Sequence, residues 1–322
     1  MADREQDTIQ AMHPARLDPV SLRLFVAVME HGSIAAAAER EHIAASALSR
    51  RLAELETALN VELFGRSNRG VEPTAAAYAL QHRARGLLNE MDDIALQMRD
   101  YASGTRGQVR VAANNSAITQ FLPAELQGFL ARYPQVDVRL QEHISTSVAR
   151  SVAENAADVG ILNDGHYGER VVLLPYHEDE LVVVVPAKHP LSKRKSLRFA
   201  DVLSDDFIGL HPGSVVNNLL MREATQIGRP LKLRMQVTSY DAQCLMISAG
   251  LGVGVLPRGS ARLYRGAITL SVIKLAEPWA MRQLALCVQA GKTLTGAAQL
   301  LVEHLRASAQ FQQEMTSKIR SE

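Results

Sequence analysis

Features that mark secreted and membrane proteins are scarce in this sequence. It has two cysteines in 322 residues, Cys244 and Cys287. Both lie inside apolar runs, which predicts buried reduced thiols and gives no support to a disulfide framework. No run of about 18 apolar residues occurs, and residues 1–16 are too polar for a signal peptide. We therefore expect a cytoplasmic protein that does not enter a membrane.

Catalytic and metal-binding motifs are also missing. The ten histidines are scattered, and there is no HExxH, C-x-x-C or G-x-S-x-G. Gly250, Gly252 and Gly254 precede an apolar strand, whereas a phosphate-binding glycine loop follows one, so they predict close backbone packing. We expect no enzyme activity, no cofactor and no metal. The net charge of +1 does not suit a protein that coats polyanions, but it leaves sequence-specific DNA binding open.

What the sequence does contain is a pair of short helical patterns within residues 32–69. The second has an apolar stripe formed by Leu48, Leu52, Leu55 and Leu59. Its other face carries Ser46, Ser49, Arg50 and Ala53. Small residues let a helix approach the major groove while serine and arginine reach bases and phosphates. A turn at residues 41–44 and an N-cap at Ser33 favour a helix-turn-helix, although an amphipathic helix pair in a bundle core would share this pattern.

The flanking segments extend this pattern. Residues 19–30 predict a helix that covers the apolar stripe, Asn60 suits a helix stop, and VELFGRSNRGVEPT predicts a hairpin. Three helices and a hairpin make a winged helix-turn-helix, in which wing arginines meet DNA phosphates or the minor groove. Arginines on a turn are otherwise usually only solvated. The predicted DNA-contacting residues are Ser33, Ser46, Ser49, Arg50, Arg51, Arg66 and Arg69.

A long helix is predicted next, over residues 74–103. Its apolar residues recur at alternating intervals of three and four residues through about three heptads, as in a coiled coil. We expect two subunits to pair here, although in a monomer the stripe would pack on its own protein. The stripe comprises Ala77, Leu80, Ala84, Leu87, Met91, Ile94, Met98 and Tyr101, and the predicted dimer contacts are Leu80, Leu87, Met91, Ile94 and Met98.

Residues 18–80 resemble the DNA-binding domain of the LysR-type transcriptional regulators. The resemblance is carried by Leu22, Phe25, Gly32-Ser33, Ala37-Ala38, Ala47-Leu48-Ser49-Arg50, Leu55-Glu56, Leu63-Phe64, Arg66 and Pro73-Thr74. The chain departs from the family pattern at Glu41, at Ala44-Ala45 in place of a usual Ser-Gln pair, at Asn60 and at Ala75-Ala76-Ala77. Because Ala45 replaces a common base-contacting glutamine, direct readout is left to Ser46, Ser49 and Arg50.

Beyond residue 107, strand and helix patterns alternate and predict a parallel sheet with sites at its strand ends. The family resemblance implies a two-lobed α/β effector domain similar to a periplasmic binding protein. It is carried by Tyr133-Pro134, residues 158–161, 189–191 and 249–254. The expected fold is thus mixed: an all-α-type winged helix-turn-helix, a long linker helix and the two-lobed domain.

The expected domains are a mobile tail at 1–17, the winged domain at 18–73 and the linker helix at 74–103. An effector domain at 107–310 and a tail at 311–322 follow. Lobe I takes residues 107–176 and 280–310, and lobe II takes 177–279, with crossovers near 175–180 and 276–281.

A cleft between the lobes is expected to bind a small organic anion, because strand ends and helix N-termini suit one. The expected contacts are Asn115, Ser116, Ser145, Asn163, Pro212, Ser214 and Thr238, each of which could equally be an N-cap or turn residue. Asn163 stands where some relatives have a basic residue, which leaves the charge of the ligand open.

The predicted function is a ligand-responsive regulator that binds double-stranded promoter DNA and a small-molecule effector. It should form a homodimer, which in the family usually assembles to a homotetramer. A periplasmic-type solute-binding protein with a helical extension is the alternative, but it would need a signal peptide. An enzyme on a doubly wound fold would need a catalytic constellation that the sequence does not show.

Overall fold

The structure is a computed structural model that describes residues 17–67, 70–103, 107–264 and 266–321. Residues 1–16 of the predicted tail lie outside this range. The chain divides into two compact units. The N-terminal unit runs to Met98 and includes residues 154–156, and the C-terminal unit comprises the rest.

The N-terminal unit contains three helices, a hairpin and most of a fourth helix. These elements are α1 (Pro19–His31), α2 (Ile34–Arg40), α3 (Ala45–Leu59), β1 (Phe64–Ser67), β2 (Gly70–Pro73) and α4 (Ala75–Ser103). The two strands pair antiparallel. The predicted winged helix-turn-helix is therefore confirmed.

Local signals account for where these helices begin and end. Asp18 accepts a hydrogen bond from the Ser21 amide at the start of α1, and Ser33 accepts one from the Ala36 amide at the start of α2. Asn60 ends α3 in the left-handed conformation, with φ 51°. Ala44, which replaces a polar residue of the family pattern, is the N-cap of α3 and provides no side-chain cap.

The leucine stripe of α3 forms the core of this unit as predicted. Leu48, Leu52 and Leu55 are buried against apolar residues of α1. Glu56 fixes the wing, because its carboxylate accepts hydrogen bonds from the Leu63 and Phe64 amides at 2.7 and 3.1 Å. Glu41, a departure from the family pattern, is half-buried and lies 3.3 Å from the Arg23 guanidinium.

The apolar stripe of α4 is divided between two environments. Ala77 and Ala84 are buried in the core of the N-terminal unit, and Leu80 packs partly buried against that core. Leu87, Met91, Ile94 and Met98 are exposed. The first part of the stripe, including Leu80 among the predicted dimer contacts, thus packs on its own domain, which corrects the expectation of one uninterrupted seam.

The first lobe of the C-terminal unit is built on parallel strands. Its elements are β3 (Gly107–Ala113), α5 (Asn115–Gln120), α6 (Leu122–Arg132), β4 (Val136–Glu142), α7 (Ser145–Ala153) and β5 (Val159–Asn163). Both β4 and β5 pair parallel with β3. The short helix α5 ends at Gln120, and the chain starts α6 at Leu122, with Pro123 in its first turn.

Two long strands connect the lobes. The strand β6 (Val171–Pro186) leads into the second lobe and β12 (Met281–Gln289) returns from it. They pair antiparallel with each other, and β12 also pairs with β5. The crossovers are therefore hydrogen-bonded strands, and not loops.

The second lobe lies between these strands. Its elements are β7 (Ser196–Leu197), α8 (Phe199–Val202), β8 (Phe207–Leu210), α9 (Val215–Gln226), β9 (Leu233–Val237), α10 (Tyr240–Ser248), β10 (Gly254–Pro257), α11 (Arg258–Leu263) and β11 (Leu270–Leu275). Strands β10 and β11 flank the second half of β6, and β8 pairs parallel with β9. The predicted two-lobed α/β architecture is confirmed.

The close packing predicted for the three glycines is found at Gly252 and Gly254 but not at Gly250, which has nothing within 4 Å of a built Cβ atom and adopts a left-handed conformation after α10, with φ 79°. A Cβ atom on Gly252 would lie 2.4 Å from the Asp206 carbonyl oxygen, and one on Gly254 would lie 2.8 Å from Ile247 Cδ1. The last helix is α12 (Gly296–Ser321). Residues 311–321, expected to be a tail, are helical.

No single helix in the described ranges is long and apolar enough to cross a membrane. The helices α1 and α2 have the length and composition of a span only when taken together, across a bend of 119°.

Candidate DNA-binding face and ligand cleft

The predicted recognition helix, α3, presents its small and basic residues outward. Ser46, Ser49 and Arg50 are exposed on the side away from the leucine stripe. The Arg50 side chain is 79% exposed, and its one ion pair among the described residues is with Glu54, at 3.6 Å on the same helix. An exposed i,i+4 pair of this kind contributes only a few tenths of a kcal/mol, so Arg50 can exchange Glu54 for a base edge or phosphate at little cost.

Arg51 points in another direction. Its guanidinium lies 3.5 Å from the Asp18 carboxylate and 3.3 Å from the Ser21 hydroxyl, both at the start of α1. The hydrogen bond from the Ser21 side chain lowers the pKa of Asp18, and Arg51 adds to this effect. Arg51 thus ties α3 to α1, a contact that the sequence did not predict.

The other predicted DNA-contacting residues lie on the loops and the wing. The Ser33 oxygen is the N-cap acceptor of α2, as its position predicted. Arg66 lies on β1, and its side chain is outside what the structure describes. Arg69 lies outside the described residues.

The C-terminal unit has a polar cavity of about 480 Å³ between its two lobes. It lies where the carboxyl ends of β3, β4, β5, β8 and β9 meet, as expected for parallel sheets. Six of the seven predicted ligand contacts line it, namely Asn115, Ser116, Ser145, Asn163, Ser214 and Thr238. Pro212, the seventh, is exposed and does not line the cavity, because the loop turns at Gly213, with φ 88°, before α9 begins.

On the lobe I side of the cavity, a cluster of hydrogen bonds centres on Ser145. The buried Ser145 oxygen lies 3.3 Å from the Asn163 amide nitrogen, 3.3 Å from Asn114 Nδ2 and 3.4 Å from Asn163 Nδ2. Ser145 also starts α7. This cluster holds the ends of three lobe I segments in place beside the cavity.

Arg282 is the main charged group in the wall of the cavity, and it is not among the contacts predicted from the sequence. It lies on β12, and its side chain is 8% exposed. Its Nη2 group donates to Asp179 on β6, directly across from it, and to the Ser116 hydroxyl at 3.4 Å. Within the described structure, its Nε and Nη1 groups are buried and have no hydrogen-bond partner.

Hydrogen bonds from α5 join the two lobes beside the cavity. The Ser116 hydroxyl lies 3.2 Å from the Tyr240 hydroxyl, and the Thr119 hydroxyl lies 2.8 Å from that of Ser260. Burial raises the pKa of Tyr240, so its hydroxyl keeps its proton and can donate.

A second cavity, of about 590 Å³, shares part of its lining with the first. Asn163, Val215 and Arg282 line both cavities, and Trp279 and Arg222 line only the second. Among the described residues, no group of three or more His, Cys, Asp or Glu side chains is placed to hold a metal ion.

A winged helix-turn-helix combined with a two-lobed α/β unit that encloses a polar cavity defines a ligand-responsive, DNA-binding regulator. Family comparison agrees. Residues 20–78 match the bacterial regulatory helix-turn-helix protein, lysR family, and residues 102–310 match the LysR substrate binding domain. The chain belongs to the LysR family of transcriptional regulators.

Individual relatives show the same organisation over most of the chain. The HTH-type transcriptional regulator YbhD of Escherichia coli is 29% identical over 281 residues, which cover 87% of this chain and 88% of YbhD. The crystal structure of full-length CbnR complexed with target DNA matches with a TM-score of 0.69 at 23% identity, covering 91% of this chain and all of CbnR. The effector-binding domain of QuiR in complex with shikimate matches with a TM-score of 0.58 at 18% identity, covering 64% of this chain and 98% of that domain.

Proposed function

We propose that this regulator binds a small organic anion in the cavity between its lobes and that binding repositions its winged domains on promoter DNA. The observation that carries the proposal is Arg282, a buried cation in the cavity wall with donors left unpaired. A ligand that contacts both lobes stabilises one arrangement of the lobes over another. Only such a difference in affinity between two states can shift a conformational equilibrium.

Two further features support an anionic ligand. The helices α7 and α9 begin at the cavity, at Ser145 and Val215, and a helix N-terminus favours negative charge. Ser214, the N-cap of α9, makes no side-chain cap bond, so its hydroxyl is available to a ligand. Shikimate, which occupies the related domain of QuiR, is likewise a small organic acid.

On the DNA side, we assign direct readout to Ser46, Ser49 and Arg50, and backbone contacts to Ser33, Arg66 and Arg69. Arg51 acts mainly by holding α3 against α1. The proposed domains are residues 18–73 for the winged domain, 74–103 for the linker helix and 107–310 for the effector domain. The linker helices pair two copies through Leu87, Met91, Ile94 and Met98, and pairs assemble further to a tetramer. The protein acts in the cytoplasm, where promoter DNA is accessible, and has no enzymatic role.

The test is binding to the DNA that flanks the protein's own gene, measured at two salt concentrations against a scrambled duplex of equal length. We expect salt-dependent binding that favours the natural duplex. The Arg50→Ala variant should lose that preference while keeping residual nonspecific binding, and Arg234→Ala, an exposed arginine of β9, should behave as wild type.

The absence of any salt-dependent, sequence-selective binding would overturn the proposal. Ligand binding without DNA binding would instead favour a solute-binding protein.

A further inference from the structure

The hydrogen-bond state of Arg282 limits the chemistry of the ligand. A guanidinium has five N–H groups, and only Nη2 of Arg282 has partners among the described residues. The Nε and Nη1 groups have no surface open to the cavity, and leaving buried charged donors unpaired is costly. A ligand therefore gains when its acceptor oxygens draw the Arg282 side chain toward the cavity and pair with these donors. A carboxylate, with two oxygens in one plane, suits a guanidinium edge.

The carboxylates near Arg282 disfavour a second negative charge on the ligand. Asp179, which is fully buried, already balances Arg282. Glu142 lines the cavity and accepts a hydrogen bond from Asn115 at 2.7 Å, next to Ser116, which contacts Arg282. A second carboxylate on the ligand would lie near Glu142, whose like charge disfavours it, although water screens part of this repulsion because Glu142 is exposed.

The uncharged lining favours hydroxyl groups. Asn115 and Asn163 each use one end of the side-chain amide and leave Oδ1 buried without a partner in the described structure. A ligand hydroxyl can both donate and accept, so it can pair with either end of an amide. An alkyl chain would leave these groups unpaired.

We infer that the effector is a small hydroxylated monocarboxylate, whose carboxylate binds Arg282 and whose hydroxyls bind Asn115 and Asn163. This inference rests on the proposed function and specifies the ligand class for the same cavity. The cavity volume of about 480 Å³ suits a compact molecule of this kind.

The first test is a thermal-shift screen of the full-length protein with C3–C8 compounds in four size-matched groups. The groups are hydroxylated monocarboxylates such as gluconate, plain monocarboxylates such as hexanoate, hydroxylated dicarboxylates such as glucarate, and neutral polyols such as sorbitol. We expect stabilising compounds only in the first group, with affinities then measured by calorimetry. Stabilising compounds in another group, or none in the first, would overturn the inference.

The second test uses variants with the best compound. Arg282→Lys keeps the charge opposite Asp179 but loses the planar fork, and should weaken binding about tenfold or more. Arg110→Lys changes a second arginine of the same domain, which pairs with Asp158 away from the cavity, and should leave affinity unchanged. Unchanged affinity in Arg282→Lys would contradict the assignment.

Glu142→Gln tests the charge argument separately. Glu142 is exposed, and glutamine keeps the acceptor for Asn115, so the fold should be retained. Binding of the dicarboxylate should improve relative to the monocarboxylate by about tenfold, and an unchanged ratio would refute the role of Glu142 in limiting ligand charge. Operator binding without ligand is measured in parallel, so a failure of the proposed regulatory function is distinguished from a wrong ligand class.

Discussion

The side chain of Gln120 joins the two lobes of the effector domain, because its Oε1 accepts a hydrogen bond from the Gly259 amide at 3.0 Å. Its Nε2 donates to Asp179 at 3.1 Å, and Asp179 in turn binds Arg282. One short helix, α5, therefore connects lobe I, the crossover strand and lobe II. Because Ser116 of the same helix lines the cavity, a ligand can perturb this connection directly.

Gly259→Ala should weaken this connection. A Cβ atom there would lie 2.2 Å from Gln120 Oε1, so the end of the glutamine side chain must shift and its hydrogen bond with the Gly259 amide is lost. We expect a loss of about 1 kcal/mol in the free energy of unfolding, measured by urea denaturation. Gly296→Ala is the matched control, because a Cβ there has nothing within 4 Å. Equal stability of the two variants would contradict the proposed connection.

Arg51→Ala should reduce the stability of the protein without changing its DNA sequence preference. Its partners Asp18 and Ser21 lie on α1, and the pair is partly exposed, so we expect a loss of about 0.5–1 kcal/mol in stability. The preference for the natural duplex over a scrambled one should remain. Fluorescence anisotropy with both duplexes measures this preference, and its loss in Arg51→Ala would place Arg51 among the base-reading residues instead.

Ile94→Glu tests the exposed part of the linker stripe. Ile94 is 55% exposed and lies between Met91 and Met98, also exposed, on one face of α4. A charge in a paired seam is unfavourable, so the variant should dissociate at least tenfold more readily in sedimentation equilibrium. Ala95→Glu places the same charge on the next exposed position, off the stripe, and should sediment as wild type. A wild-type assembly for Ile94→Glu would exclude this seam.

The sequence predicted those features of the structure that depend on local residue spacing. The leucine stripe of α3 and the polar residues at strand ends follow from spacing and topology, and the structure buries the stripe and places six of the seven strand-end residues at the cavity. Arg282 gave no such signal, because it lies within a strand and gains its role only when β12 pairs with β6. A charged residue in the apolar run MRQLALCV, beside the predicted crossover, was the available clue.

The expectation of one uninterrupted seam along α4 needed correction for a related reason. A heptad pattern shows that a face will be covered, but it does not show what covers it. Leu80 and Ala84 satisfy the same spacing as Ile94, yet they pack on their own domain. The sequence gives no sign of α5, because six residues are too few for a helical period to be distinguished from a loop.

The two cysteines should be inert in the folded protein. Burial raises the pKa of the Cys244 and Cys287 thiols to about 12, from the ordinary value of 9.0. At pH 8 the native protein should therefore not react with Ellman's reagent over minutes, and two thiols should react after unfolding in urea.

The same shift predicts a pH dependence of stability. Above pH 9 the unfolded thiols lose protons that the folded ones retain, so the unfolded state binds fewer protons and the free energy of unfolding must fall as pH rises. We expect this decline between pH 9 and 10, before the tyrosines add to it, in a series of urea denaturation curves. A Cys244→Ala, Cys287→Ala double variant should show a flatter profile over this interval. Rapid reaction of either native thiol would show that the thiolates form without unfolding, and a double variant as steep as wild type would show that other groups cause the decline.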